Sequence, residues 1–252
     1  MRLANKVAII TGGANGIGKA IATAYAKEGA KISIADFNEE ALTGTVEEFT
    51  AQGFDAFGVK VNVASEEDIQ KMVDDTVAHF GRVDILVNCA GVLDNIQAAH
   101  NVEDAIWNRV MDINVGGVMR GSRKILPLFT EQGSGVIINL ASITALTGGR
   151  GGLTYTAAKH AVAGMTKNIA SMYGPQGIRC NAIAPAQVET GLTQSIEGYD
   201  MFGFKQATRA VDLMGPAASP EDIANIALFL ASDESKTING VVLAADAGWS
   251  AY

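Results

Sequence analysis

Tyr155 and Lys159 stand four residues apart at the start of a stretch with helical character, so their side chains share one helix face. The lysine ammonium can then lie beside the phenol. A neighbouring cation favours phenolate and lowers a phenol pKa from about 10 toward the range where the group works as a general base. Ser142 follows the apolar run Gly135 to Leu140, with twelve residues between it and Tyr155. If that run is a strand of an open α/β sheet, Ser142 falls at the carboxyl edge, where such sheets bind ligands. Asn114 lies upstream in another helical segment.

A second cluster suits a different task. After the first apolar run comes Thr11-Gly12-Gly13-Ala14-Asn15-Gly16-Ile17-Gly18, which passes into a helical segment. Glycines there let the backbone turn tightly and approach a pyrophosphate, whose charge meets amide groups at a helix N-terminus. The spacing is G-x-x-x-G-x-G. Eighteen residues past Gly18, Asp36 ends the second apolar run, where a carboxylate can accept hydrogen bonds from both ribose hydroxyls of NAD and repel a 2′-phosphate. No Arg or Lys stands at 13 to 15 or at 37 to bind that phosphate, so NAD is expected over NADP. The competing structural reading makes Asp36 a cap for the helix beginning near Asn38.

The elements that must position these residues follow from the hydrophobic pattern. Short runs rich in Val and Ile recur at Val7 to Ile10, Lys31 to Ala35, Ala56 to Val61, Val83 to Val87, Gly135 to Leu140, Ile178 to Ile183 and Val241 to Ala244. Their weak alternation marks strands buried on both faces. Helical segments fall between them at 16 to 29, 39 to 52, 66 to 80, 103 to 125, 154 to 173 and 220 to 231. The expected fold is a single-domain, doubly wound α/β Rossmann architecture of about seven parallel strands with helices on both faces. Ser65 with Asp68, and Ser219 before Pro220, read as helix starts. The stretch Ala186 to Gly215 breaks the rhythm and reads as an irregular substrate loop, because Tyr199, Met201, Phe202 and Phe204 give it apolar surface.

Composition narrows the function classes. Charged residues are 18% and apolar ones 48% of 252, with 28 glycines, which excludes disorder, collagen and coiled coil. A net charge of -8 opposes nucleic-acid binding. No apolar run is long enough for a membrane span and no signal peptide precedes the first strand, so a soluble, cytoplasmic protein is expected. Cys89 and Cys180 are far apart, and His79, His100 and His160 form no ligand pair, so neither a disulfide framework nor a metal site is expected.

The ordered set of Thr11-Gly12-x-x-x-Gly16-x-Gly18, Asn88-Cys89-Ala90-Gly91, Asn114, Ser142, Tyr155, Lys159 and Pro185 resembles the short-chain dehydrogenase/reductase family, in its compact single-domain branch, over essentially the whole chain. The resemblance implies hydride transfer between a secondary alcohol or ketone and NAD. In it Tyr155 is the acid/base, Ser142 holds the substrate oxygen, Lys159 lowers the tyrosine pKa and binds the nicotinamide ribose, and Asn114 anchors a water in a proton relay. It also places Gly12, Asn15, Gly16, Ile17, Gly18, Asp36, Asn62, Val63, Asn88, Ala90, Gly91, Pro185, Val188 and Thr190 on the cofactor, together with Tyr155 and Lys159. Thr190 would grip the carboxamide, and Asn88 would also support the central sheet. Four positions depart from the family pattern: Cys89 for the second Asn of N-N-A-G, Asn62 for the Asp that meets the adenine amino group, Ala186 for Gly, and Asp246-Ala247-Gly248 for D-G-G.

An apolar secondary alcohol or ketone is the expected small-molecule substrate, since no set of arginines marks a carboxylate or phosphate clamp. A 3-oxoacyl carrier-protein reductase and a sugar dehydrogenase are the alternatives within the family. The first would prefer NADP and a basic docking surface, against Asp36 and the charge of -8. A non-catalytic nucleotide sensor is the alternative from another class, opposed by the complete set Asn114, Ser142, Tyr155 and Lys159. The resemblance also implies a homotetramer built through long helices and the C-terminal strand region. Trp249 and Tyr252 could instead pack on their own subunit.

Overall fold

Seven short runs rich in Val, Ile and Ala form one parallel sheet in the computed structural model, which describes residues 1–191, 198–209, 211–213 and 215–251. The strands are β1 (Val7–Thr11), β2 (Lys31–Asp36), β3 (Ala56–Lys60), β4 (Ile85–Asn88), β5 (Gly135–Leu140), β6 (Ile178–Pro185) and β7 (Val242–Ala245). Their order is β3-β2-β1-β4-β5-β6-β7, every pair parallel. The helices are α1 (Gly16–Lys27), α2 (Glu39–Ala51), α3 (Glu66–Phe80), α4 (Asp104–Met111), α5 (Gly117–Gln132), α6 (Leu153–Tyr173), α7 (Met201–Ala207) and α8 (Pro220–Ala231).

Both faces of the sheet are covered, which explains why its strands carry apolar residues almost without interruption. Ala8 and Ile10 of β1 point to a core shared with Ile21 and Tyr25 of α1, Phe49 of α2 and Leu228 of α8. Ile9 between them faces the other layer, with Ile69 of α3, Ile125 and Phe129 of α5 and Ile169 of α6. The chain winds outward from β1 to β3 and then returns to place β4 on the other side of β1. That reversal opens a crevice at the carboxyl ends of β1 and β4, where the glycine-rich turn and Asn88-Cys89-Ala90-Gly91 both fall.

Local signals act largely as expected. Ser219 and Asp222 form a reciprocal capping box with Pro220 in the first turn of α8. Ser65 Oγ accepts the Asp68 N–H at 3.1 Å, whereas the Asp68 carboxylate turns back to the N–H of Asn62 at 2.8 Å.

Three expectations change. The segment read as one helix over 103 to 125 is α4, then a wider π-helical turn at Asp112–Gly116, then α5. This helix continues through Pro127 to Gln132, because the proline lies on the exposed side, where water can take the freed carbonyl. The substrate stretch 186 to 215 is not wholly irregular: Val188 bridges Ala218, and Asp200 caps α7 by accepting the Phe202 N–H at 3.0 Å. Residues 192–197, 210 and 214 of that stretch lie outside the described residues. Trp249 is buried in its own chain under the Arg150 guanidinium, 4.0 Å from the ring centre, while Tyr252 lies outside the described residues. No described helix is long and apolar enough to cross a membrane.

Candidate active site

A cavity of ≈ 980 Å³ runs along the carboxyl ends of the strands. Gly12, Asn15, Gly16, Ile17 and Gly18 line its floor, Asp36, Asn62 and Val63 one end, and Ala90, Gly91 and Thr190 the other. Gly12 has φ 65°, and a Cβ there would stand 3.0 Å from the Ala90 Cα, so the turn needs glycine both for its conformation and for its closeness to the β4 loop. The Thr11 hydroxyl fastens these two segments by accepting the N–H groups of Cys89 and Ala90 at 3.0 and 3.2 Å. An open glycine turn ahead of α1 fits a nucleotide with a pyrophosphate.

Asp36 accepts the N–H of Ala14 at 3.1 Å and that of Asn38 at 3.0 Å. It therefore ties the glycine turn to the start of α2. The helix cap itself is Asn38, whose Oδ1 accepts the Ala41 N–H at 3.1 Å, so the competing reading of Asp36 as the cap is corrected. The Asn62 amide oxygen accepts the Ala64 N–H at 3.1 Å.

Ser142, Tyr155, Lys159 and Asn114 gather at the Gly91 end. Tyr155 sits in the first turn of α6, with the Ser142 hydroxyl near enough to its phenol to favour the phenolate. Ser142 Oγ also accepts the Thr144 N–H at 3.3 Å. The buried Lys159 ammonium donates to the Leu140 carbonyl at 2.7 Å and stands 5.4 Å from the Tyr155 ring centre. A Cβ at Gly91 would lie 3.8 Å from Lys159 Nζ and 3.2 Å from Asn114 Oδ1, so the cavity and the cluster meet there.

Burial governs the electrostatics of the pair. It pushes the Tyr155 phenol up to about 12, with the Ser142 hydroxyl pulling down and the charge of Asp94 pushing further up. It pushes the Lys159 ammonium down to about 8. The phenol pKa is thus raised where a lowering was expected, because desolvation dominates in this arrangement.

The remaining expected residues divide. The Asn114 side chain sits in the π-helical turn and is committed to Val92, whose N–H it accepts and whose carbonyl it donates to, both at 2.8 Å. Asn88 turns into the protein, donating to Asn139 Oδ1 at 2.9 Å, and Asn139 in turn donates to Thr166 on α6. The Asn88 side chain supports the sheet, as expected. Pro185 is buried at the end of β6, and Val188 packs against the core. Phe37, Arg109 and Ile113 also line the cavity and were not expected from the sequence. Phe37 carried a signal, an aromatic residue directly after Asp36. Cys89 lines the cavity too, and burial pushes its thiol up to about 12, which leaves it a weak nucleophile.

A family model described as enoyl-(acyl carrier protein) reductase matches residues 12–250. The 3beta-hydroxysteroid dehydrogenase 2 of Eggerthella lenta is 45% identical over 251 residues, covering 99% of this chain and 96% of that relative. The chain belongs to the short-chain dehydrogenase/reductase family. Among solved structures, levodione reductase superposes with a TM-score of 0.91 at 34% identity, covering 100% of both chains. A gluconate 5-dehydrogenase from Beutenbergia cavernae, described as NAD(P)-dependent and holding NADP at low occupancy, gives 0.89 at 33% identity over 99% of this chain and 98% of its own. This short-chain dehydrogenase/reductase is an oxidoreductase of a family that uses a nicotinamide nucleotide.

Proposed function

We propose that the protein is an NAD(H)-dependent dehydrogenase that interconverts an apolar secondary alcohol and the matching ketone, with Tyr155 as the acid/base. The observation that carries this reading is the meeting of Ser142, Tyr155 and Lys159 beside Gly91 at the end of the cavity. The nicotinamide nucleotide, when bound, supplies or accepts the hydride.

Ser142 holds the substrate oxygen next to the phenol. Because burial keeps that phenol protonated at neutral pH, Tyr155 is a ready proton donor to the oxygen as a ketone is reduced. Alcohol oxidation needs the phenolate and gains as pH rises. Lys159, when charged, stabilises the phenolate and binds the nicotinamide ribose. With the Asn114 amide committed to Val92, its main-chain carbonyl in the wide turn is the group that anchors the relay water. Thr190, close against Gly16, holds the carboxamide. Asp36 binds the ribose hydroxyls and disfavours a 2′-phosphate, and Asn62 and Val63 flank the adenine.

Exposed apolar side chains at Tyr199, Phe202 and Phe204 support an apolar substrate. The identity with the Eggerthella lenta enzyme favours a 3β-hydroxysteroid as the first such alcohol to try. Docking of an acidic carrier protein is disfavoured by the net charge of -8. Assembly as a homotetramer through α5 and α6 is supported by a groove of ≈ 710 Å³ between them, lined by Met119, Leu126, Met165 and Met172, and is read by sedimentation equilibrium.

The test follows reduced-nicotinamide absorbance with NAD or NADP and a panel of steroid, monocyclic and sugar alcohols, with Tyr155→Phe beside the wild type. NAD-dependent turnover lost in the variant is expected. Preference for NADP would overturn the part given to Asp36, and tight NAD binding without turnover on any alcohol would favour the sensor.

A further inference from the structure

Helix α6 brings Tyr155 to the site, yet it starts Gly152-Leu153-Thr154-Tyr155 and its N-cap residue, Gly152, has no side chain with which to cap it. The first-turn N–H groups of a helix need acceptors. Here the acceptor comes from elsewhere in the chain. Asp94 Oδ2 accepts the Tyr155 N–H at 2.8 Å, and the Thr154 N–H favours the charge of the same carboxylate. The side chain is 1% exposed, and a negative group at this end of a helix is favoured by the helix dipole.

The other oxygen of Asp94 has a second task. Oδ1 accepts the Ile96 N–H at 3.1 Å and closes a turn in which Asn95 and Ile96 have φ 57° and 56°. For a β-branched residue this left-handed conformation is strained and persists only when its surroundings hold it. That turn carries α7. The Asp200 N–H donates to the Asn95 carbonyl at 3.1 Å, and the Asp200 carboxylate accepts the Ala98 N–H at 2.8 Å. A Cβ at Gly203 of α7 would stand 1.9 Å from the Ile96 carbonyl oxygen, so the helix rests directly on the turn.

We infer that Asp94 is a positioning residue for Tyr155, capping α6 from outside and setting the phenol against α7, the element that carries the apolar side chains of the substrate side. This rests on the reading of Tyr155 as the acid/base. Asp94 itself does not line the nucleotide cavity. The geometry also shows that the outside cap excludes an inside one: a Cβ at Gly152 would lie 2.3 Å from Asp94 Oδ2. Gly152 has φ -71° and ψ 169°, a conformation open to serine, the preferred capping residue.

The experiment is a double-mutant cycle of Asp94→Ala and Gly152→Ser, read by kcat, KM, NAD affinity and amide hydrogen exchange over residues 153–156. Asp94→Ala is expected to lower kcat about tenfold or more, with NAD affinity unchanged, and to speed exchange at Thr154 and Tyr155 by about tenfold. Gly152→Ser alone is expected to be impaired by the clash. Together the two changes fit, because the serine hydroxyl takes the orphaned N–H in the space the carboxylate leaves, and both kcat and protection recover above either single variant. Should Asp94→Ala not fold, Asp94→Asn, which keeps one acceptor oxygen, replaces it in the cycle. An Asp94 variant with wild-type kcat, or a double variant that regains amide protection but no kcat, overturns the inference. Hydrogen exchange reads the cap whatever the reaction is. Undiminished turnover in Tyr155→Phe would sink the catalytic reading alone.

Discussion

The Lys159 ammonium stands 5.4 Å from the centre of the Tyr155 ring while donating its hydrogen bond at 2.7 Å to the Leu140 carbonyl. It is a buried charge without a carboxylate in its immediate hydrogen-bonding set, and burial takes it from an ordinary 10.5 down to about 8. The folded state therefore sheds this proton at lower pH than the unfolded chain. Below pH 8 the charged lysine opposes folding by about 3 kcal/mol, and the penalty fades as pH rises toward 10.5.

Lys159→Met is accordingly expected to stabilise the protein at pH 7 by about 2 kcal/mol, after a loss of about 1 kcal/mol for the bond to Leu140. Most of that gain disappears by pH 10. The same change removes the cation that stabilises phenolate, so catalysis falls as stability rises. Urea unfolding of variant and wild type at the two pH values reads the difference, and an equal gain at both would show that Lys159 is not held charged against its burial.

Asp36 supports the site twice, through the N–H groups of Ala14 and Asn38 and through the face it turns to the cavity. Losing hydrogen bonds to a charged group is worth about 1.5–3 kcal/mol. Asp36→Ala should therefore lower kcat/KM with NAD by roughly 10- to 100-fold and raise the ratio of NADP to NAD use. Steady-state kinetics with both nucleotides decides it. A fall of equal size for both would mean that Asp36 matters only as the tie between the glycine turn and α2.

The legible parts of this protein are those fixed by short-range pattern. The strands show because burial on both faces demands uninterrupted apolar runs, and Ile9 and Ile10 face opposite cores without an intervening polar residue. Tyr155 and Lys159 show because a helical spacing of four places them together. Helix α7 does not show, since Met201-Phe202-Gly203-Phe204 is a weak helix former that depends on the Asp200 cap and on contact with Ile96. Asp94 is hidden for a related reason. Its work lies on a helix that starts sixty residues later in the chain, about which the only local hint is a glycine where a capping side chain would stand. Asn88 is legible as a support of the central sheet: it ends β4, and its amide pairs with Asn139 inside the sheet.

The apolar substrate side offers a third test. Tyr199 and Phe204 pack with ring centres 5.1 Å apart, and both remain partly exposed. Truncating Phe204 to alanine removes apolar contact worth about 1–2 kcal/mol to a substrate that covers it. KM for an apolar alcohol should rise about tenfold relative to KM for a sugar alcohol, measured on the same preparation. An unchanged ratio would place the substrate elsewhere.

The turn after β7 holds a residue in a conformation it does not favour. Ala247 has φ 52°, between Asp246 and Gly248, and Asp246 pins the turn by accepting the N–H groups of Gly248 at 3.1 Å and Ser250 at 2.7 Å. At a left-handed position an alanine Cβ crowds the following carbonyl, whereas glycine gains there and loses only chain entropy in the unfolded state. The Ala247 side chain is exposed, so little burial is forfeited by removing it. Ala247→Gly should raise the unfolding free energy by about 0.5–1 kcal/mol, and Ala247→Val should lower it, since a β-branched side chain tolerates this region least. Urea midpoints for the two variants, at unchanged slope, check both directions together. Destabilisation by glycine would mean that Asp246 and its two N–H partners hold the turn without strain.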